Sequence, residues 1–247
     1  MNATQDRDAG GVDGVQARGW EIKYWSPAPT NPRVDLGNTK SSDPTRSASL
    51  EYRLGHQAYS LGDAKTAFEH FRAAIETDPG CVKAHRWFGR VALELGLGAE
   101  AKRSFETLIR LQGYSAALGQ CLEYATEVSR FGLEAASQFR AGCEAQKNGQ
   151  LNDASLALGR AVAAAPNHQR AWAQLGQVLL ELKSYDGAVI ACERALALEP
   201  RDSGSAYRLR LASKQTASRV ASSGASPEEV LNSKSHVSIK LSVRGRR

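Results

Sequence analysis

Long apolar runs are missing from this 247-residue chain, and none approaches the roughly 18 residues that a membrane span requires. The beginning, MNATQDRDAGG, is polar with no hydrophobic stretch behind it, so no secretory signal is expected and the reading is cytoplasmic. Cysteine is scarce. Cys81, Cys121, Cys143 and Cys192 form no CxxC and no Cys/His metal spacing, which argues against zinc or a disulfide framework and for reduced, partly buried thiols. The five histidines show no HExxH, and GxSxG, a Walker loop and a Ser/His/Asp pattern are missing too. With no catalytic constellation, no metal and no cofactor to assign, the expectation is a non-catalytic protein. Gly96-Leu97-Gly98-Ala99-Glu100-Ala101 does fit GxGxxA, but no strand precedes it and a turn between helices explains its glycines.

What is present is an ordinary globular composition, 42% apolar and 23% charged, with a formal charge of +6. A basic surplus suggests a polyanion, yet it is unevenly spread. Residues 1–47 are neutral, 48–113 carry +1 and 114–202 carry −2, whereas 203–247 hold nine basic and two acidic side chains, a net +7. The excess therefore belongs to the C-terminal region, and the middle of the chain is close to neutral.

That middle repeats with a period of 34. Gly55 and Gly89 are 34 apart, as are Ala67 and Ala101, and Phe71 and Phe105. Gly142 and Gly176, Ala154 and Ala188, Ala161 and Ala195, and Pro166 and Pro200 keep the same spacing. Small residues at fixed places mark where two helices cross closely, and Leu54, Trp87, Phe88, Trp172 and Leu175 fill the volume beside them. Turn residues at 61–63, 95–98, 147–150 and 183–186 divide each unit into two helices, and Pro79, Pro166 and Pro200 stop the second. Such a hairpin cannot bury its own face and must stack on neighbours.

The copy at 171–200, with Trp172, Leu175, Gly176, Ala188, Cys192, Ala195 and Pro200, resembles the tetratricopeptide repeat. The expected fold is an all-α superhelical array of four hairpins at about 48–81, 82–115, 135–168 and 169–202, forming a domain over 48–216. Gly89 and Gly142 are 53 apart, and the additional segment has Leu118, Cys121, Leu122, Ala125 and Val128 on one helical face. It reads as a single extra helix over 116–131, with Glu123 where the repeat would want glycine, covering the first pair of hairpins and joining it to the second. Residues 203–216 continue the apolar pattern with cations between, as a solvating capping helix would.

In this family the first helix of each hairpin lines a groove for peptides, so the resemblance implies groove positions at Tyr52, His56 and Tyr59, at Lys83, Arg86 and Arg90, at Phe139, and at Arg170 and Gln177. Three cations on one helix face suit carboxylates or phosphates, and the second pair of hairpins is more apolar. The complementary ligand is a protein segment that is extended and acidic, followed by an aliphatic stretch. The plainer alternative is that Lys83, Arg86 and Arg90 only solvate their helix.

Residues 1–47 read as mostly disordered by composition, but Trp20, Tyr24 and Trp25 stand within six residues. They either pack on the convex side of the first repeat or dock on a partner. In the basic tail, 217–247, apolar residues alternate over 236–243, which predicts a short strand, and Lys240, Arg244, Arg246 and Arg247 offer contacts to phosphate or an acidic surface. Two functions are consistent with these features: an adaptor or assembly scaffold that binds a partner peptide in the groove, or a subunit of a ribonucleoprotein or other polyanion-bound complex that contacts phosphate through the tail.

Overall fold

The computed structural model describes residues 44–223, with side chains from 47 to 219. Trp20, Tyr24, Trp25, the 236–243 alternation and the tail cations Lys240, Arg244, Arg246 and Arg247 lie outside these residues. Ten helices, and no strand, occur among the described residues: α1 (Pro44–Ser60), α2 (Ala64–Thr77), α3 (Val82–Glu94), α4 (Gly98–Gln112), α5 (Ala116–Phe131), α6 (Leu133–Lys147), α7 (Leu151–Ala164), α8 (Gln169–Glu181), α9 (Tyr185–Leu198) and α10 (Ser203–Ser223). The fold is thus an all-α array in which α1–α2, α3–α4, α6–α7 and α8–α9 form hairpins. The first helix begins at Pro44, ahead of 48, because proline suits the first turn, where its missing N–H costs nothing. The last helix runs past 216 to Ser223.

Each hairpin closes on a glycine. A β-carbon on Gly55 would stand 2.8 Å from the Phe71 ring, and one on Gly89 would stand 2.9 Å from the Phe105 ring. At Gly142 the obstacle is Leu158 Cγ at 2.6 Å, and at Gly176 it is Cys192 Sγ at 2.6 Å. Phe71, Phe105, Leu158 and Cys192 are themselves fully buried, so none has room to retreat. Gly98, next to the turn glycine Gly96, does a different job: a β-carbon there would run into the backbone of Val128 and Ser129, so α4 meets α5 backbone to backbone. The GxGxxA string is accordingly a helix turn joined to a helix contact.

Two cores result. One gathers Phe71, Trp87, Val91, Phe105 and Leu108 with Leu118, Tyr124 and Val128 of α5. The other gathers Phe139, Leu158, Val162, Leu175 and Val178. The helices themselves fall into two units. Leu151–Ala164 begins and ends 87 positions after Ala64–Thr77, Gln169–Glu181 does the same relative to Val82–Glu94, and Ser203 lies 87 after Ala116. Thus α6–α10 repeats α1–α5, and α10 packs on α9 as α5 packs on α4. The turn glycine Gly96 (φ +74°) even has Lys183 (φ +58°) as its counterpart.

Substituting Gly89→Ala sets overpacking of about 1–3 kcal/mol against a helix-propensity gain of about 1 kcal/mol. The expected outcome is a lower melting temperature. Gly159→Ala, in α7 with nothing within 4 Å of the added carbon, has only the gain and should raise it. Thermal melts of both variants monitored by circular dichroism check the pair; a rise for Gly89→Ala would contradict the close-packing account.

Candidate functional site

On α1 and α3 the first-helix side chains meet. The Tyr52 hydroxyl and His56 Nε2 are 2.8 Å apart. Burial, with Arg90 nearby, holds the His56 imidazole below its ordinary pKa, which favours the neutral ring in this contact. The His56 ring stands edge-on to Trp87 at 4.2 Å, and Tyr59 does so at 5.2 Å. The Tyr59 hydroxyl donates to Glu94 Oε1 at 2.5 Å, and burial together with that carboxylate pushes it up to about 12. Arg90 lies 3.8 Å from Glu94 and spreads its guanidinium over Tyr59 and Trp87, 5.4 and 5.0 Å from the ring centroids. Its charge is therefore largely spent inside the protein.

A second polar cluster joins the two units. Arg170 of α8 reaches Glu127 at 2.7 Å and Glu123 at 2.9 Å, both on α5. His168, fully buried just before α8, lies between the rings of Phe131 (3.9 Å, nearly parallel) and Phe139 (4.7 Å). Its Nε2 is 3.0 Å from Glu127 Oε2. Burial pushes the Glu127 carboxyl up, but His168 and Arg170 more than offset this and hold it below its ordinary value. In the second unit, Gln177 accepts from Arg208 of α10 at 3.0 Å and donates to Glu181 at 3.1 Å.

Of the sequence-predicted groove residues, Tyr52, His56, Tyr59 and Arg90 come together around Trp87. Phe139 and Arg170 stand at the joint, and Gln177 stands in a network toward α10. Lys83 and Arg86 are exposed, with Arg86 at the 3.5 Å limit of a hydrogen bond to Gln112. One cation was missed: Arg140 of α6, half-buried, with its guanidinium 5.1 Å over the Tyr124 ring. Arg140 and Arg86 both bear on the Cys121 thiol, which burial nonetheless keeps above its ordinary value. Among the described residues neither Arg86 nor Arg140 has a carboxylate within 4 Å. The i,i+4 spacing of Arg90 and Glu94 signals their pairing, whereas nothing local announces Tyr124 with Arg140, which requires α5 to be placed first. On the opposite layer, a cleft of about 290 Å³ includes Ile75, His85 and Phe88, and its arginines, Arg72 and Arg103, are paired with Glu69 and Glu100.

Compared with known proteins, residues 52–116 and 139–206 match the tetratricopeptide repeat profile, more than half of the chain. The chain belongs to the tetratricopeptide repeat family. Solved structures similar to this chain include a MamA protein (19% identity, 70% of this chain and 84% of that one, TM-score 0.33). Others are YrrB, a tetratricopeptide repeat protein (18% identity, 65% and 90%, TM-score 0.33), and TTC0263 of Thermus thermophilus (21% identity, 67% and 98%, TM-score 0.32). No match was found among curated proteins. Tetratricopeptide repeat proteins are in general non-catalytic protein-interaction scaffolds. No helix among the described residues is long and apolar enough to cross a membrane, and no group of His, Cys, Asp or Glu there is placed to hold a metal ion.

The joint between the units has a pH signature. A carboxyl held below its ordinary value contributes stability above the unfolded pKa, near 4.5, and loses it as pH falls through the folded one. Glu127→Gln, which keeps the shape, should cost about 1–3 kcal/mol at pH 7. Parallel denaturant titrations of the variant and the parent across pH 7 to 3 should show this difference shrinking below about pH 4.5; a constant difference would assign the effect to packing.

Proposed function

We propose that this tetratricopeptide repeat protein is a non-catalytic adaptor or assembly scaffold holding an extended, acidic peptide of a protein partner against α3, α5 and α6. The pairing state of the cations carries the reading. Arg90 is balanced by Glu94, and Arg170 by Glu123 and Glu127, whereas Arg86 and Arg140, which both bear on Cys121, have no carboxylate within 4 Å among the described residues. A carboxylate arriving there gains charge-assisted bonds to a planar donor that is already oriented over Tyr124. Arg86 bears on Tyr52, which with His56 and Tyr59 forms a half-buried surface around Trp87 that suits the apolar continuation of the same peptide. Four free thiols fit a reducing, cytoplasmic setting.

The test is fluorescence anisotropy on the full chain with a labelled peptide of four glutamates and then four leucines. Arg86→Ala with Arg140→Ala should weaken binding about tenfold or more, while Lys at both places should restore part of it. Tight binding undiminished in the double alanine variant would remove the basis for the proposal.

A further inference from the structure

The two five-helix units are alike in topology but not in how they end. Within α5, Leu118 and Ala125 face the preceding hairpin and are buried, as are their counterparts Ser205 and Ala212 in α10. The other side of α5 meets the second unit, with Tyr124 serving both that contact and the first core. There Tyr124 is 8% and Glu127 9% exposed, Phe131 lies against His168, and Glu123 and Glu127 hold Arg170. The matching places on α10, 87 positions later, are Arg210, Leu211, Lys214 and Ser218, all exposed, Leu211 at 38%. Tyr207, one turn before Leu211, is 62% exposed. Both acids of the α5 face have thus become cations, around an uncovered apolar pair.

We infer that this face of α10 is a docking surface for an acidic helix of another protein, seated as the second unit is seated on α5. Charge decides the occupant. The second unit brings Arg170 and His168 to the acids of α5; the occupant of α10 brings acids to Arg210 and Lys214 and an apolar side chain to Leu211 and Tyr207. A second copy of this chain does not fit, because its leading face carries Lys83 where Arg170 stands in the second unit, and Cys81 where His168 stands. End-to-end stacking would set Lys83 against Arg210 and Lys214, a like-charge contact that stops the array at two units. Nucleic acid suits the cations, and a base can stack on Tyr207, but Leu211 gives it no partner and the counterpart helix takes protein. This site is separate from the one built on Arg86 and Arg140.

The experiment places a photo-crosslinking amino acid at Leu211 of the full chain. The probe is a stapled helical peptide bearing Glu at i and i+4 with leucine and phenylalanine between. Expected is a crosslink at 211 that falls at least tenfold with Arg210→Glu and Lys214→Glu, both at exposed positions, and is unchanged by Arg86→Ala with Arg140→Ala. The same peptide with lysines for glutamates should label the charge-reversed chain. The inference is overturned if labelling ignores the charge reversal or if the lysine peptide fails on the reversed chain. It is equally overturned if position 211 crosslinks to residues 224–247 of its own chain or to a second copy, or if a 20-nucleotide RNA displaces the glutamate peptide at equal concentration.

Discussion

Two helices approach each other closely only where a side chain is missing, and the rest of this protein depends on four such places. Gly55, Gly89, Gly142 and Gly176 each accept a buried neighbour at a distance that would not admit a methyl group. The aromatic or aliphatic side chain received there fixes the crossing of the hairpin, and with it the spacing of successive first helices. That spacing lets Tyr59 reach Glu94 across 35 residues and lets Gln146 reach Glu181 across another 35. The polar face is therefore a by-product of core geometry: loosen a glycine contact and the side chains that meet on the face lose their partners.

The joint between the units obeys different rules. Apolar burial holds each half and takes Ala136 of α6 into the first core, but the contact of α5 with the second unit also rests on Glu123, Glu127, Arg170 and a histidine held between two phenyl rings. Ion pairs that are only partly exposed contribute direction more than strength. They admit one arrangement of the second unit and penalise others, which suits a place where two bodies with separate cores must keep one register.

Much of this was legible beforehand. A 34-residue period in glycine, alanine and proline reads directly because each of those residues is required by a backbone contact or a helix end. The extra helix was legible for the opposite reason, since Glu123 interrupts the small-residue rule. The role of Glu123 was not legible, because its partner is 47 positions away on α8 and the pairing exists only once α5 has been laid on α4 by Gly98. Arg90 shows the same limit in reverse. Its place on the first-helix face came from the repeat, but Glu94 one turn along and two aromatic rings absorb its charge. The 34-residue spacing also hid the larger 87-residue unit, whose evidence lies in helix ends and not in any residue type.

The presence of α5 inside the first core bears on the order of events during synthesis. Apart from Ala136, every buried side chain of that core has been made once Val128 has left the peptidyl-transferase centre. A chain growing at about 5–20 residues per second then spends several seconds adding the remaining helices. The first unit can close during that time, with α5 as its own cover, and offer Glu123 and Glu127 as a finished template. The second unit has no such head start and condenses against a surface that is already folded.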